Sequence, residues 1–286
     1  MPFLLFRCQV KLALPVLEYR PWSPSKADLA LRCPRAFKYR YVDHIKSEYK
    51  GSAAKVGTTA HKAQELVIEG SGVKEAFDKA LEEFQHELTS TEVEQVSSFA
   101  VAVETFNEYL RRFKVKHKVV EVHAEKPWAI NTKFEPCDYS DKEALIRGIV
   151  DLVLLLESGQ VVIIDHKSGR KKPVDNYATQ LDTYAVLALA HYPQATAVQC
   201  AIHFMAHEKV EWYVLRKRTD IVSLLQPWLV DTLNKRANGL EGFRPIVKRW
   251  TCGWCDFRKV CPEGNSNDGQ REGDRDSEEG SLGASK

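Results

Sequence analysis

The stretch Ile146–Lys167, IRGIVDLVLLLESGQVVIIDHK, constrains the fold of this chain more than any other. Two apolar runs rich in β-branched residues, Ile149–Leu156 and Val161–Ile164, bracket Glu157-Ser158-Gly159. A three-residue hairpin loop commonly ends on a residue in the left-handed region, where glycine fits best. That loop sets Leu156 against Gln160, and counting back sets Asp151 directly across from Asp165. Lys167 is two residues further along and leaves the strand on the same face as Asp165.

Ile149, Val153 and Leu155 on one face and Val150, Leu152 and Leu154 on the other make the first strand apolar on both sides. Such strands are usually covered on both faces. Two carboxylates and an ammonium therefore meet at one partly buried spot. Like charges facing each other across a strand pair are destabilising, so something must offset them. A divalent cation would do so, and carboxylate oxygens suit Mg²⁺ or Mn²⁺. The plain alternative is a structural Asp–Lys–Asp ion cluster at a sheet end.

The net charge of +2 is unevenly spread. Glu263–Lys286 holds seven acids and three bases, so the 262 residues before it carry +6. A mildly basic body permits a nucleic-acid partner without requiring one. The acidic tail, rich in Gly and Ser, should be disordered. No apolar run approaches the roughly 20 residues of a membrane span. Arg7 and Lys11 interrupt the apolar start, so Met1–Pro15 does not read as a signal peptide and an intracellular, cytoplasmic location is expected.

Helices are expected over about Lys26–Cys33, with Pro34 restarting the chain, over Gly57–Glu69, Val73–Gln85 and Val93–Lys114. Arg35-Ala-Phe-Lys38-Tyr39-Arg40-Tyr41 interleaves bases and aromatics, a pattern suited to phosphates and bases. Packed aromatics with solvated bases explain it equally well. His61 shares a helix face with Glu65, and a lone helical His is more often a packed or surface residue than a ligand. A strand begins at Val119, and Trp128 within it reads as core. Past Lys167 comes a basic loop with Arg170, Lys171 and Lys172, then a helix over about Asn176–His191 with Asp175 as N-cap. On it, Tyr177, Gln180, Leu181, Tyr184 and Ala188 fall along one face. A second hairpin is expected from Val198–Met205 and Lys209–Leu215, and a last helix over Thr219–Asn238 capped near Gly239.

Seven cysteines without an export signal argue against a disulfide framework. Cys252-x2-Cys255-x5-Cys261 is compact and lies among aromatics and glycine. Cys33, which also precedes a proline, is the best fourth ligand. Four cysteines hold either a [4Fe–4S] cluster or Zn²⁺, and spacing does not choose between them. Linking Cys33 to the C-terminal three would clip the two ends of the ordered chain together and restrict the unfolded state.

Together these residues resemble a known family. Asp151 with Asp165-His166-Lys167 resembles the core of the PD-(D/E)XK nuclease superfamily, Gln180-x3-Tyr184 the Q-x3-Y motif of its RecB-type branch, and Gly57-x3-His61 that branch's first motif. Cys33-Pro34 with Cys252, Cys255 and Cys261 resembles the iron–sulfur clasp of AddB-type nucleases and CRISPR-associated RecB-like exonucleases. Each motif is weak alone; their order is what makes the resemblance specific. Asp165 departs from the Glu of many relatives.

The resemblance implies an α/β fold with a restriction-endonuclease-like mixed central sheet flanked by helices. An N-terminal helical part would be joined to the C-terminal region by the cysteine clasp. It implies an N-terminal segment 1–22, a nuclease domain over 23–262 with a helical insertion at about 70–114, and a tail at 263–286. His61, Asp151, Asp165 and the His166 backbone carbonyl would hold Mg²⁺ or Mn²⁺. Lys167 would polarise water and phosphate, its pKa pushed down by the cation, with Gln180 and Tyr184 positioning it. The implied activity is hydrolysis of single-stranded DNA from free ends, in repair, recombination or CRISPR-type processing. DNA is the expected partner, gripped by Arg35, Lys38, Tyr39, Arg40, Arg170, Lys171 and Lys172. A helicase or a CRISPR integration protein could join it. The alternatives are a non-catalytic DNA-binding or assembly subunit of the same fold, and a zinc-clasped structural protein unrelated to DNA. Intact Asp151, Asp165 and Lys167 weigh against the first.

Overall fold

A computed structural model describes residues 12–46, 51–253 and 255–265. Of the tail expected to be disordered, 263–286, the first three residues belong to a short helical turn, Pro262–Asn265, and the rest lies outside the described residues, as does the segment before residue 12. The chain forms two compact units, Met1–Ser25 with Ser52–Lys235, and Lys26–Gly51 with Arg236–Lys286.

The first unit is built on one mixed sheet. Its strands are β1 (Val119–Ile130), β2 (Pro136–Cys137), β3 (Ile146–Leu156), β4 (Gln160–Lys167), β5 (Ala197–Phe204), β6 (Lys209–Trp212) and β7 (Arg216–Lys217). The order is β2-β1-β3-β4-β5-β6, with β7 also on β5. Only β4 and β5 run parallel, and the other pairs are antiparallel.

The β3–β4 hairpin has the expected register: Leu155 faces Val161 and Leu152 faces Ile164. Gly159 closes the loop at φ 77°, which a side chain would strain. Both faces of β3 are covered from Val150 to Leu156 except around the half-buried Asp151, but Ile149 is 43% exposed. The apolar pattern therefore reaches one residue beyond the covered part of the strand.

Before the sheet come α1 (Leu14–Glu18), α2 (Pro24–Arg32), α3 (Pro34–Tyr41), α4 (Ser52–Ile68), α5 (Val73–Phe84), α6 (Ser90–Ser97) and α7 (Ala100–Lys116). α4 starts five residues before the expected Gly57, because that glycine lies inside the helix and does not begin it. A Cβ at Gly57 would sit 2.8 Å from Ser168 Oγ, so the glycine admits the loop after β4. The single helix expected over Val93–Lys114 is two. Thr89 and Glu92 form a capping box that starts α6 early, and the chain breaks at Ser98–Phe99.

Two apolar clusters support the sheet. Val56, Ala60, Ala63 and Val67 of α4 pack with Phe77 of α5, Val96 of α6 and Val103 of α7. Phe106, Leu110 and Phe113 of α7 pack on Leu152, Leu154, Val162 and Ile164. Between β4 and β5 runs α8 (Ala178–His191), buried continuously from Leu181 to Leu189. A 3₁₀ turn at Val174–Tyr177 precedes it, so Asp175 lies in that turn and does not cap the helix. The last helical region divides into α9 (Arg218–Asp220), a π-helical stretch Ile221–Leu225 and α10 (Gln226–Asn238). Left-handed backbone occurs at Gly242 and not at the expected Gly239.

The second unit contains most of α2, all of α3, and the turns α11 (Arg249–Cys252) and α12 (Pro262–Asn265). Phe37 and Phe257 are buried there.

Candidate active site

The β3–β4 register places Asp151 and Asp165 across from each other, and neither charge is left bare. The His166 backbone N–H donates to Asp151 Oδ2 at 2.7 Å. Lys167 Nζ lies 2.6 Å from Asp165 Oδ2. Gln180, on the first turn of α8, donates from Nε2 to Asp165 Oδ1 at 2.8 Å. The same nitrogen lies 3.0 Å from Tyr184 Oη, which donates in turn to the Ile149 carbonyl. The spacing of four sets Gln180 and Tyr184 on one helix face, which makes this relay. Glycine at 148 lets the Tyr184 ring approach β3, since a Cβ there would meet Cε1 at 3.0 Å.

His61 of α4 brings Nδ1 to 3.6 Å from Asp151 Oδ2. A third ligand-bearing side chain joins them that the sequence reading missed. Glu125 of β1 lies across from Asp151, since the flanking pairs are Ala124–Leu152 and Lys126–Val150. One ligand atom from each of His61, Glu125 and Asp151 falls within 4.8 Å of the others. Glu125 holds φ 45° inside a strand, a costly conformation for a non-glycine residue and one that clusters at functional sites. A cleft of about 570 Å³ opens over this group, lined among others by Gly57, His61, Glu65, Glu125, Asp151 and Ser168. Asp165, expected as a ligand, is engaged by Lys167 and Gln180 and does not belong to the convergent trio.

Burial dominates the electrostatics. It pushes Asp151 up to about 6, against the opposing pull of the His166 N–H and Lys167. Burial and then the Asp151 charge push Asp165 up to about 6. The same two causes push Glu125 up to about 7. His61 is lowered, chiefly by burial. Burial also opposes the charge of Lys167, but Asp165 and Asp151 together outweigh it and its pKa is raised. The direction expected beside a cation was downward. Three carboxyls at raised values around one cleft make a site whose charge a divalent cation would satisfy. The donor set, one imidazole and two carboxylates, suits Mg²⁺ or Mn²⁺.

The His166 side chain turns away from this cleft. Its Nδ1 lies 2.9 Å from His203 Nδ1, and both rings pack against Phe106. Burial lowers both, His203 to about 3, so the pair is neutral.

The expected DNA-gripping bases have mixed surroundings. Arg35 donates to the Phe243 carbonyl and faces Glu263. Lys38 pairs with Asp43, and Arg40 with Asp256. The Tyr39 ring meets Phe257 at 5.6 Å. In the first unit Lys171 pairs with Glu211. Arg170 and Lys172 are exposed.

Cys33, Cys252, Cys255 and Cys261 line one cavity of about 280 Å³ in the second unit. Burial, and then the neighbouring Cys33, Asp256 and Cys252, raise the Cys255 thiol. Burial raises Cys261, whose Sγ lies 3.3 Å from Glu263 Oε2. Among the described residues no three of these sulfurs come within 4.8 Å of one another.

The sequence matches the model of the PD-(D/E)XK nuclease superfamily over residues 21–262. This chain belongs to that superfamily, and its mixed sheet flanked by helices is the restriction-endonuclease-like fold. No curated protein matches it. Among solved structures it is similar to a candidate exonuclease from Eubacterium rectale, at 9% identity and TM-score 0.50, over 82% of this chain and 89% of that one. It also matches the structure of SSO0001 at 14% identity and TM-score 0.37, over 84% of each chain. Among the described residues no helix is long and apolar enough to cross a membrane.

Proposed function

We propose that this nuclease is a metal-dependent DNA exonuclease acting on single-stranded ends. The observation that carries the reading is the pairing of a convergent trio, His61, Glu125 and Asp151, with an adjacent lysine held by Asp165. A divalent cation bound by the trio would lower the pKa of a water and stabilise charge on the phosphate oxygens. The His166 carbonyl, on the same strand, is a further ligand by the family resemblance. Everything else falls to the chain. Asp165 fixes the Lys167 ammonium where it can orient water and phosphate. Gln180 fixes Asp165, and Tyr184 fixes Gln180. Without metal, Asp165 and Asp151 hold the Lys167 ammonium as a cation, suited to steadying negative charge on a phosphate.

We read the four cysteines as a metal–sulfur site, a [4Fe–4S] cluster with Zn²⁺ as the alternative. Their sharing of one cavity supports this. The single-strand preference rests on the exposed Arg170 and Lys172 just past Lys167. The exonuclease reading is in keeping with the candidate exonuclease from Eubacterium rectale that shares the fold.

The test is digestion of end-labelled linear single strands, circular single strands and duplex, with and without Mn²⁺. Metal-dependent release from linear single strands is expected, with little action on the others. Binding without cleavage would instead make the chain a non-catalytic DNA-binding subunit, and equal cutting of circles would make it an endonuclease.

A further inference from the structure

The C-terminal end of α7 carries a surface that the active site does not use. Phe113 stacks on His117 at 4.2 Å between ring centroids and on Trp212 of β6 at 5.8 Å, with interplanar angles of 28° and 22°. Three rings thus form a near-parallel run across a helix and a strand edge. Trp212 gives one face to Phe113 and is 41% exposed, and Leu215 beside it is 40% exposed. A groove of about 450 Å³ runs along these rings. Arg112, Lys116 and His117 line it, and among the described residues no carboxylate does. Glu108 holds Arg112 Nε at 2.9 Å, while Lys116 makes no ion pair among the described residues.

We propose that this groove is a second nucleic-acid contact, in which a base stacks on the exposed face of Trp212 while Lys116 and Arg112 meet the neighbouring phosphates. Aromatic platforms beside cations hold single strands in this way, because every base has a flat face and every linkage a negative charge. An exposed apolar ring run would also suit a protein partner. The one-sided charge favours a polyanion. Along β4 the groove, at Gln160 and Val162, lies three to five residues from Asp165, about 10–17 Å at the strand rise but on the alternate face of the strand. A single strand whose end sits at the metal cleft reaches it by passing round the sheet, which takes more nucleotides than the rise alone. The identity of the ligand rests on the nuclease reading; the geometry of the platform does not.

The test uses fluorescein-labelled dT12 and dT3, with Ca²⁺ replacing the catalytic metal, read by anisotropy. Trp212→Ala and Lys116→Ala should each weaken dT12 binding by about tenfold, the scale of a lost base stack. Trp212→Phe should restore most of the loss, and dT3, too short to span both sites, should bind each variant as it binds wild type. Lys116→Ala keeps the test decisive should Trp212→Ala fold poorly. Unchanged dT12 binding in both alanine variants overturns the proposal. Loss of self-association in Trp212→Ala with DNA binding intact also overturns it and makes the groove an interface between copies. If no DNA is cleaved under any condition yet dT12 binding still depends on Trp212, the nuclease reading fails and the platform stands.

Discussion

The backbone N–H of His166 binds the carboxylate of Asp151 across the β3–β4 hairpin at 2.7 Å. Asp165, next in the chain, is bound by Lys167 and Gln180. Two facing carboxylates are therefore tolerated because each is given its own donors before any cation arrives. Glu125 is the exception, since no hydrogen bond or ion pair to it is found among the described residues.

Lys167→Ala and Asp165→Ala should each lower cleavage by roughly 10²–10³-fold, the scale of losing one preorganised charge at a reacting group. Single-turnover rates on a linear oligonucleotide check this. Wild-type cleavage by either variant would remove the residue from the mechanism.

Glu125→Gln should weaken Mn²⁺ binding by on the order of tenfold or more, as the loss of supporting groups does at other metal sites. With metal removed, the same variant should melt higher than wild type near pH 8, because it deletes a half-buried carboxylate charge that has no hydrogen-bond or ion-pair partner among the described residues. Titration calorimetry and thermal melts read the two effects separately. A melting point unchanged without metal would mean that Glu125 is already satisfied.

Gln180→Ala should cost about 1–3 kcal/mol, because it leaves a buried carboxylate oxygen unpaired. Its activity loss should be smaller than that of Lys167→Ala, since Lys167 keeps its contact with Asp165. Denaturant melts set beside cleavage rates distinguish the two.

Without metal, wild type should lose stability relative to Glu125→Gln as pH rises from about 4 to 7. Glu125 is pushed up to about 7 in the folded state, above the ordinary carboxylate range. At this carboxyl the folded state holds more proton than the unfolded state in that window, and its contribution falls as the proton leaves. The buried His61, His166 and His203, all lowered, give the opposite slope in both proteins and cancel in the comparison. Thermal melts of both proteins against pH measure it, and a metal-free difference that does not grow over this range would contradict the assignment.

Anaerobically prepared protein should contain about four irons and be brown, the content of a [4Fe–4S] centre. Cys255→Ser should lose iron and melt at lower temperature. Stoichiometric zinc without iron would replace the cluster by a zinc site and keep the four cysteines together.

What the sequence determined by itself is local. A three-residue loop with glycine at its end leaves one register for β3 and β4, and that register places Asp151, Asp165 and Lys167. Helical periodicity did the same for Gln180 and Tyr184. Only tertiary structure placed Glu125: β1 and β3 are joined by some fifteen residues, no tight turn pins their register, and its left-handed backbone breaks the strand pattern. His61 could be suspected from spacing, but its approach to Asp151 depends on how α4 packs, with Gly57 leaving room for Ser168 in the loop after β4. The stacked rings of Phe113, His117 and Trp212 come from elements almost a hundred residues apart, and no period in the chain connects them. Short-range geometry is written in the order of residues; long-range register is settled only when apolar faces choose their partners.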